Sequence, residues 1–183
     1  MRLLSVLLFA LIGMNLNAQF GLSLGVGVGY STQADSYIKV EEFKTFEYTG
    51  FRPFIVEGRL DYTFPSKTVI YGIYQISPKI TTITPFQFNY SAFGLEQRIP
   101  NSQLFITGAY GWNKGRDSNS ISEGQMFLAG VGFMSELTRI QLSFLSGSHE
   151  NQVSFLNERE TRMTLGLSFR IIGRNQIYDF EDW

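Results

Sequence analysis

Apolar side chains alternate with glycine or serine through residues 20–30, which read FGLSLGVGVGY. A helix would scatter these residues around its circumference, whereas a β-strand separates them into one apolar face and one nearly bare face. The bare face consists of Gly21, Ser23, Gly25, Gly27 and Gly29. The segment is therefore predicted to be a strand whose two faces meet very different surroundings.

The same period of two recurs along the rest of the chain, with almost no helical periodicity. Eight strands are predicted, at residues 20–30, 52–64, 68–76, 86–97, 103–112, 123–134, 138–146 and 160–171. The third, fourth and sixth alternate less cleanly. In the fourth, Phe86, Phe88 and Tyr90 begin the apolar face. The alternation then shifts by one residue, and a bulge near Ala92–Phe93 is predicted to explain the shift. The domain spanning 19–172 is thus predicted to be all-β.

The predicted connections alternate between short and long. Residues 65–67, 98–102 and 135–137 form short turns, whereas 32–50, 77–85, 113–122 and 147–159 form longer, more polar loops. Outer-membrane barrels have short periplasmic turns and longer extracellular loops. The fold class indicated is an eight-stranded antiparallel up-and-down transmembrane β-barrel, followed by a periplasmic tail at 173–183.

Residues 1–18 have the anatomy of a secretory signal peptide. Arg2 supplies the positive charge, Leu3 to Ile12 is apolar, and cleavage is predicted after Ala18. The alternative is an N-terminal membrane anchor, although the apolar stretch is short for a span of ~30 Å.

Composition excludes several functional classes. The 183 residues suffice for one domain, and the formal net charge of −1 gives no basic field for a nucleic-acid partner. There is no cysteine for a disulfide, a thiol metal site or a lipid anchor, and only one histidine, His149. No cofactor, metal or catalytic residue is predicted.

Three features favour a lipid-facing rather than water-facing apolar surface. Glycine dominates the less apolar face of the first strand, which suits a narrow lumen, and all five lysines lie in predicted loops or turns. Aromatic residues crowd the ends of the apolar faces, as interfacial girdles do, at Phe20, Tyr30, Phe64, Phe86, Trp112 and Phe169. The alternative is a secreted β-sandwich or lipocalin-like barrel with its apolar face inside.

On these features residues 20–171 resemble the small outer-membrane barrels of the OmpA/OmpX type, including those of the Bacteroidota, where signals ending as at Ala18–Gln19 are common. The resemblance implies a location in the bacterial outer membrane. It also implies a terminal aromatic residue read by the insertion machinery, for which Phe169 and Trp183 are both candidates.

The inward faces of the predicted strands carry charges of both signs. The predicted lumen ion-pair network comprises Glu57, Arg59, Asp61, Glu96, Arg139, Arg162 and Arg170. Because the first and last strands must pair, Arg162 and Arg170 are expected to reach across the glycine face toward Glu57 or Asp61. The network is interpreted either as a plug that fills the lumen or as the lining of a selective pore, and the small strand number favours the plug.

Three functions follow from these expectations. The first is a non-enzymatic structural or interaction barrel, in contact with outer-membrane lipid, whose loop 31–50 or tail 173–183 binds a protein partner. Alternation persists in that loop, so its edge could bind by strand addition; an ordinary surface hairpin is the alternative. The second function is a narrow porin. The third is a lipid-modifying enzyme, prompted by Ser148-His149-Glu150, although adjacent residues rarely reach triad geometry.

Overall fold

Eight antiparallel strands make up the domain: β1 (Gln19–Lys39), β2 (Glu42–Thr63), β3 (Thr68–Ser77), β4 (Gln87–Arg98), β5 (Leu104–Arg116), β6 (Ile121–Met134), β7 (Thr138–Asn151) and β8 (Asn157–Ile172). This computed structural model describes residues 19–39, 42–64, 66–78, 87–116, 121–151 and 157–173. Each strand pairs with its neighbours in chain order, and β1 pairs with β8 to close the barrel. The predicted fold class is confirmed. The signal peptide, Phe86 and the tail beyond Gly173 lie outside the described residues and stay predictions.

The two faces of the barrel are inverted relative to a soluble protein. Arg59 is 2% exposed, whereas Phe93 on the outer surface is 73% exposed. Apolar side chains such as Leu24, Leu142 and Leu165 are about half exposed around the wall, and most of the charged side chains whose burial the structure describes are buried. A soluble barrel would show the opposite pattern, so the secreted lipocalin-like alternative is wrong and the barrel is of the outer-membrane type. No helix among the described residues is long and apolar enough to span a membrane.

The strands are strongly staggered around the barrel. Hydrogen-bonded partners followed once around the wall from Gln19 on β1 return to β1 at Gly29, ten residues further along the strand. Stagger, strand tilt and diameter are linked, and eight strands leave an interior only wide enough for side chains. The inward side chains therefore determine what occupies the lumen.

The structure shows that the prediction assigned Phe88 and Tyr90 to the wrong face of β4. Phe88 and Tyr90 are buried in the lumen, and Phe93 and Leu95 face outward. The pairing with β3 and β5 runs without a break through Ala92–Phe93, so the bulge predicted there is wrong. The alternation only looked irregular because aromatic residues occupy the inward face as well as the outward one.

An irregularity instead occurs where β1 pairs with β2. Gly27 pairs with Ile55 and Gly29 with Arg52, so two residues of β2, Pro53 and Phe54, oppose one residue of β1. This is the count of a β-bulge, which leaves an extra residue outside the ladder. Proline has no N–H to contribute to a ladder and is tolerated at such a position.

Two hairpins extend well beyond the predicted strands. Residues predicted as the loop 32–50 are mostly strand, and β1 pairs with β2 as far as Lys39 opposite Glu42. On its other side β2 pairs with β3 only from Val56 to Thr63. Within the described residues, the edge of β2 over 42–55 therefore has no strand beside it. β7 and β8 also extend, so His149 lies in β7 rather than in a loop.

The connections at the opposite end are short, as predicted. Residues 99–103 join β4 to β5, and 135–137 join β6 to β7. Asn101 has a φ of 56°, a left-handed conformation that asparagine tolerates better than most residues. We call this the lower end of the barrel and the end with the extended hairpins the upper end.

We expect an arginine on the middle of the outer wall to destabilise the barrel. Leu142 lies between Ile140 and Phe144 on the outward face of β7 and is 46% exposed. Leu142→Arg should lower the free energy of unfolding in lipid vesicles by about 2–4 kcal/mol, because the guanidinium enters the hydrocarbon region. The outward-facing Ser148 at the upper rim provides the control, since Ser148→Arg should cost about 0–1 kcal/mol near the interface. Equal losses in denaturant titrations would contradict the assigned lipid-facing surface.

Candidate functional site

A cluster of six buried charged residues fills the lower part of the lumen. Four strands (β2, β4, β7 and β8) contribute to this lower cluster, which comprises Arg59, Asp61, Glu96, Arg98, Arg139 and Arg170. Each member is at most 8% exposed. Charges this deeply buried require partners, because an unpaired ion in a low-dielectric interior is costly.

The salt bridge between Arg170 and Asp61 crosses the bare face of β1. Arg170 Nη1 donates to Asp61 Oδ2 and Nη2 donates to Oδ1, both at 2.8 Å. The guanidinium lies over Gly21, where a Cβ atom would overlap it. Glycine at this position therefore makes room for a bidentate arginine–carboxylate salt bridge between β8 and β2.

Glu96 is the shared ion-pair partner of three arginines, two of which also donate hydrogen bonds to it. Arg59 Nη2 donates to Glu96 Oε2 at 2.9 Å, and Arg139 Nη2 donates to the same oxygen. Arg98 Nε lies 3.7 Å from the other carboxylate oxygen. The side chain of Glu96 is fully buried, so this carboxylate offsets much of the repulsion among the three guanidinium groups that surround it.

Two of the guanidinium groups also lie over aromatic rings. Arg59 Cζ is 3.8 Å from the centroid of Tyr71, and Arg139 Cζ is 3.8 Å from that of Phe105. Tyr71 in turn hydrogen-bonds to Thr107, with 2.6 Å between the hydroxyl oxygens. Cation–π contacts of this kind stabilise the arginines and hold their planes in place.

An apolar layer, which the sequence analysis did not predict, lies next to the lower cluster on its upper side. It comprises Tyr71, Ile73, Tyr90, Ala92, Ala109, Met126, Leu128 and Leu145, all at most 5% exposed. Tyr90 and Ala92 are an even number of residues from Glu96 on β4, and Leu145 is an even number from Arg139 on β7, which would have identified these three as inward-facing. The prediction missed them because it assumed that apolar residues face lipid throughout.

A second charged pair, which we call the upper pair, lies near the upper end. Arg162 Nε is 3.4 Å from Glu160 Oε1, and Asn113 Nδ2 donates to Glu160 Oε2 at 3.3 Å. The expectation that Arg162 reaches Glu57 or Asp61 is therefore wrong. Arg162 is the register partner of Leu145, so the apolar layer separates it from Asp61. Glu160 was missed because it lies at the predicted start of the last strand.

Glu57 differs from the other lumen carboxylates. It accepts a hydrogen bond from Gln75 Nε2 at 2.8 Å, and among the described residues no arginine lies within ion-pair distance. It lines a cavity of about 20 Å³ beside Gly25 and Gly27, which is room for roughly one water molecule. The small residues of β1 and β8 thus leave the lumen less filled on one side.

The predicted interfacial aromatics within the described residues, which leave out Phe86, lie at both ends of the outer wall. Tyr30 and Trp112 are about half exposed toward the upper end. Phe20 and Phe169 are similarly exposed toward the lower end, where Tyr62 also packs edge-on against both Phe20 and Phe64.

The described residues show no arrangement of side chains that supports the lipid-modifying enzyme suggested by Ser148-His149-Glu150. The backbone of His149 pairs with Glu158 and Gly124, and its side chain lies outside the described set. Within that set, no group of three histidine, aspartate or glutamate side chains is arranged to hold a metal ion.

Comparison with known proteins finds solved structures whose fold is similar to that of this chain. No protein-family model matches the chain, and no curated protein matches its sequence. The attachment invasion locus protein Ail of Yersinia pestis aligns with a TM-score of 0.49 at 15% identity, over 82% of this chain and 99% of Ail. Ail in complex with the heparin analogue sucrose octasulfate gives 0.49 at 14% identity over the same shares. A de novo designed transmembrane β-barrel gives 0.46 at 14% identity, over 82% and 95%.

We expect Glu96→Gln to destabilise the barrel strongly. The substitution removes the negative charge that Arg59, Arg98 and Arg139 share, and loss of one partner from a buried ionic group costs about 3–5 kcal/mol. Glu123→Gln is the matched control, because Glu123 pairs with Lys114 at a site where both side chains are about half exposed, and such pairs contribute about 0–1 kcal/mol. Unfolding titrations in vesicles measure both; similar losses would show that Glu96 does not hold the cluster together.

A double-mutant cycle tests the contact across β1. We expect Gly21→Ala to destabilise the barrel because its Cβ would displace the Arg170 guanidinium from Asp61. The same substitution should cost less in an Arg170→Ala background, with a coupling of about 1 kcal/mol or more. Gly58→Ala is the control, since its Cβ would meet no atom closer than 3.9 Å. If the destabilisation by the two substitutions were purely additive, the proposed contact of Arg170 with Asp61 over Gly21 would be contradicted.

Proposed function

We propose that this chain is a non-enzymatic outer-membrane interaction barrel. Its extended β1–β2 hairpin presents a strand edge to a protein partner, and its lumen is closed by buried side chains. The observation that carries the proposal is the edge of β2 over residues 42–55, beside which the described chain places no strand. Exposed backbone N–H and C=O groups along such an edge are a template for strand addition.

The neighbouring strands support this use of the edge. β1 is paired on both sides up to Ser36, with β2 on one side and β8 on the other. The hairpin is therefore held by the barrel on its β8 side, and on its β3 side no strand of the described residues pairs with it beyond Val56. A partner strand that pairs with β2 would extend an existing sheet rather than form a new one.

Filling of the lumen supports the closed state. The lower cluster, the apolar layer and the upper pair occupy successive parts of the interior, and the cavity beside Glu57 has room for roughly one water molecule. The alternative of a narrow porin rests on that same cavity. The Bacteroidota origin remains a prediction from Ala18–Gln19.

Site-specific cross-linking tests the strand edge. Thr49 on β2 pairs with Thr32 on β1, and Thr32 is flanked on its other side by Thr161 of β8. A photoreactive residue at position 49 should capture a partner protein in intact cells, whereas one at position 32 should capture little, because β8 covers that side. Replacing residues 35–46 by Asn-Gly should abolish the adduct while leaving the barrel folded. Equal capture at both positions, or none at 49, contradicts the proposal.

Planar-bilayer recording tests the closed lumen. We expect no steady current from the native protein, because large side chains occupy the interior of so narrow a barrel. A steady current that changes on Arg162→Ala, and not on Lys114→Ala on the outer surface, would establish the porin instead. Heat-modifiable gel migration verifies that each variant is folded before the recording.

A further inference from the structure

A concave pocket lies on the outer surface near the upper end of the barrel, where β3, β4, β5 and β6 are adjacent. It has a volume of about 510 Å³, within the range of small-ligand sites. Three of its residues are register partners in one hydrogen-bonded row, in which Tyr74 pairs with Ser91 and Ser91 with Trp112. The two aromatic residues therefore flank a small serine, which leaves space between them.

The polar part of the pocket lies one step further up the same strands. Asn89 pairs with Lys114, and Lys114 pairs with Glu123. The ammonium of Lys114 and the carboxylate of Glu123 form an ion pair with both side chains about half exposed. The pocket therefore combines aromatic rings below with an amide and a mutually neutralised ion pair above.

The depth of the pocket matches the border between hydrocarbon and headgroups. Leu104 and Trp112 are outward-facing residues of β5, eight positions apart. At about 3.4 Å per residue and a tilt of about 40°, they are roughly 21 Å apart along the membrane normal, close to the ~25 Å apolar band of such barrels. Trp112 thus lies at the upper interface, with apolar Phe93, Tyr110 and Phe127 directly below it.

We propose that this pocket binds the uncharged sugar headgroup of a glycolipid in the outer leaflet. The C–H face of a sugar ring packs against aromatic rings, and its hydroxyl groups exchange hydrogen bonds with amide, ammonium and carboxylate groups. Because Glu123 neutralises Lys114, the described residues that line the pocket offer no free cation to select a phosphate group. The apolar surface below continues from the pocket and receives the acyl chains. This inference requires the membrane fold but not the strand edge of β2.

Fluorescence of Trp112 provides the test. The chain has two tryptophans, Trp112 and Trp183, so Trp183→Phe leaves Trp112 as the single emitter. This variant is purified in polyoxyethylene micelles and titrated with dodecyl maltoside, or with dodecylphosphocholine, which has the same chain length. We expect a saturable change in Trp112 emission with the maltoside, with a midpoint at a mole fraction about tenfold lower than with the phosphocholine, which corresponds to one or two added hydrogen bonds and a ring contact.

Two variants link the response to the pocket. Ser91→Phe fills the space between Tyr74 and Trp112 and should remove the saturable change, whereas Ser146→Phe, at another outward-facing serine on β7, should retain it. Asn89→Leu removes a polar group without filling the space and should shift the midpoint toward that of the phosphocholine, which gives an independent result should Ser91→Phe fold poorly. Identical curves for the two headgroups, or a saturable change that persists in both pocket variants, would overturn the proposal.

Discussion

Hydrogen bonding between β1 and β8 is the contact on which the rest of the structure depends. In a bilayer every backbone N–H and C=O group needs a partner within the protein, so a sheet of eight strands is viable only when its first and last strands pair. Here that pairing runs from Leu22 opposite Ile172 to Ser36 opposite Asn157. The small inner face of β1 also leaves room for side chains of β8, since the Arg170 guanidinium lies over Gly21 on its way to Asp61.

The filling of the lumen is consequently uneven. The large interior side chains come from β2 to β8, including Arg59, Tyr71, Tyr90, Phe105 and Arg162. The inner face of β1 contributes glycine and serine, and the cavity beside Glu57 lies along it. The inner face of β1 therefore contributes little to filling the lumen, which the side chains of the other strands occupy.

Much of this arrangement could be predicted from the period of two, and the exceptions have physical reasons. In β1 and β8 one face is apolar and the other small or charged, so both the strands and their outward faces were predicted. In β4 aromatic residues occupy both faces, so Phe88 and Tyr90 were assigned to the wrong side. Periodicity separates two faces but does not say which faces lipid, and an apolar layer inside the lumen removes the polarity difference that would decide it. The partner of Arg162 depended on strand stagger, which the sequence pattern does not contain.

The position of the β2 edge over residues 42–55, which no strand of the described chain covers, has a mechanical consequence. The hairpin is attached to the barrel through β1, whose bonds to β8 lie side by side along both strands up to Ser36. A pull along the strand axis therefore loads this whole series of hydrogen bonds in parallel, whereas a pull outward from the wall breaks them one at a time. A partner attached to β2 would be held far more firmly against force directed away from the cell than against force directed sideways.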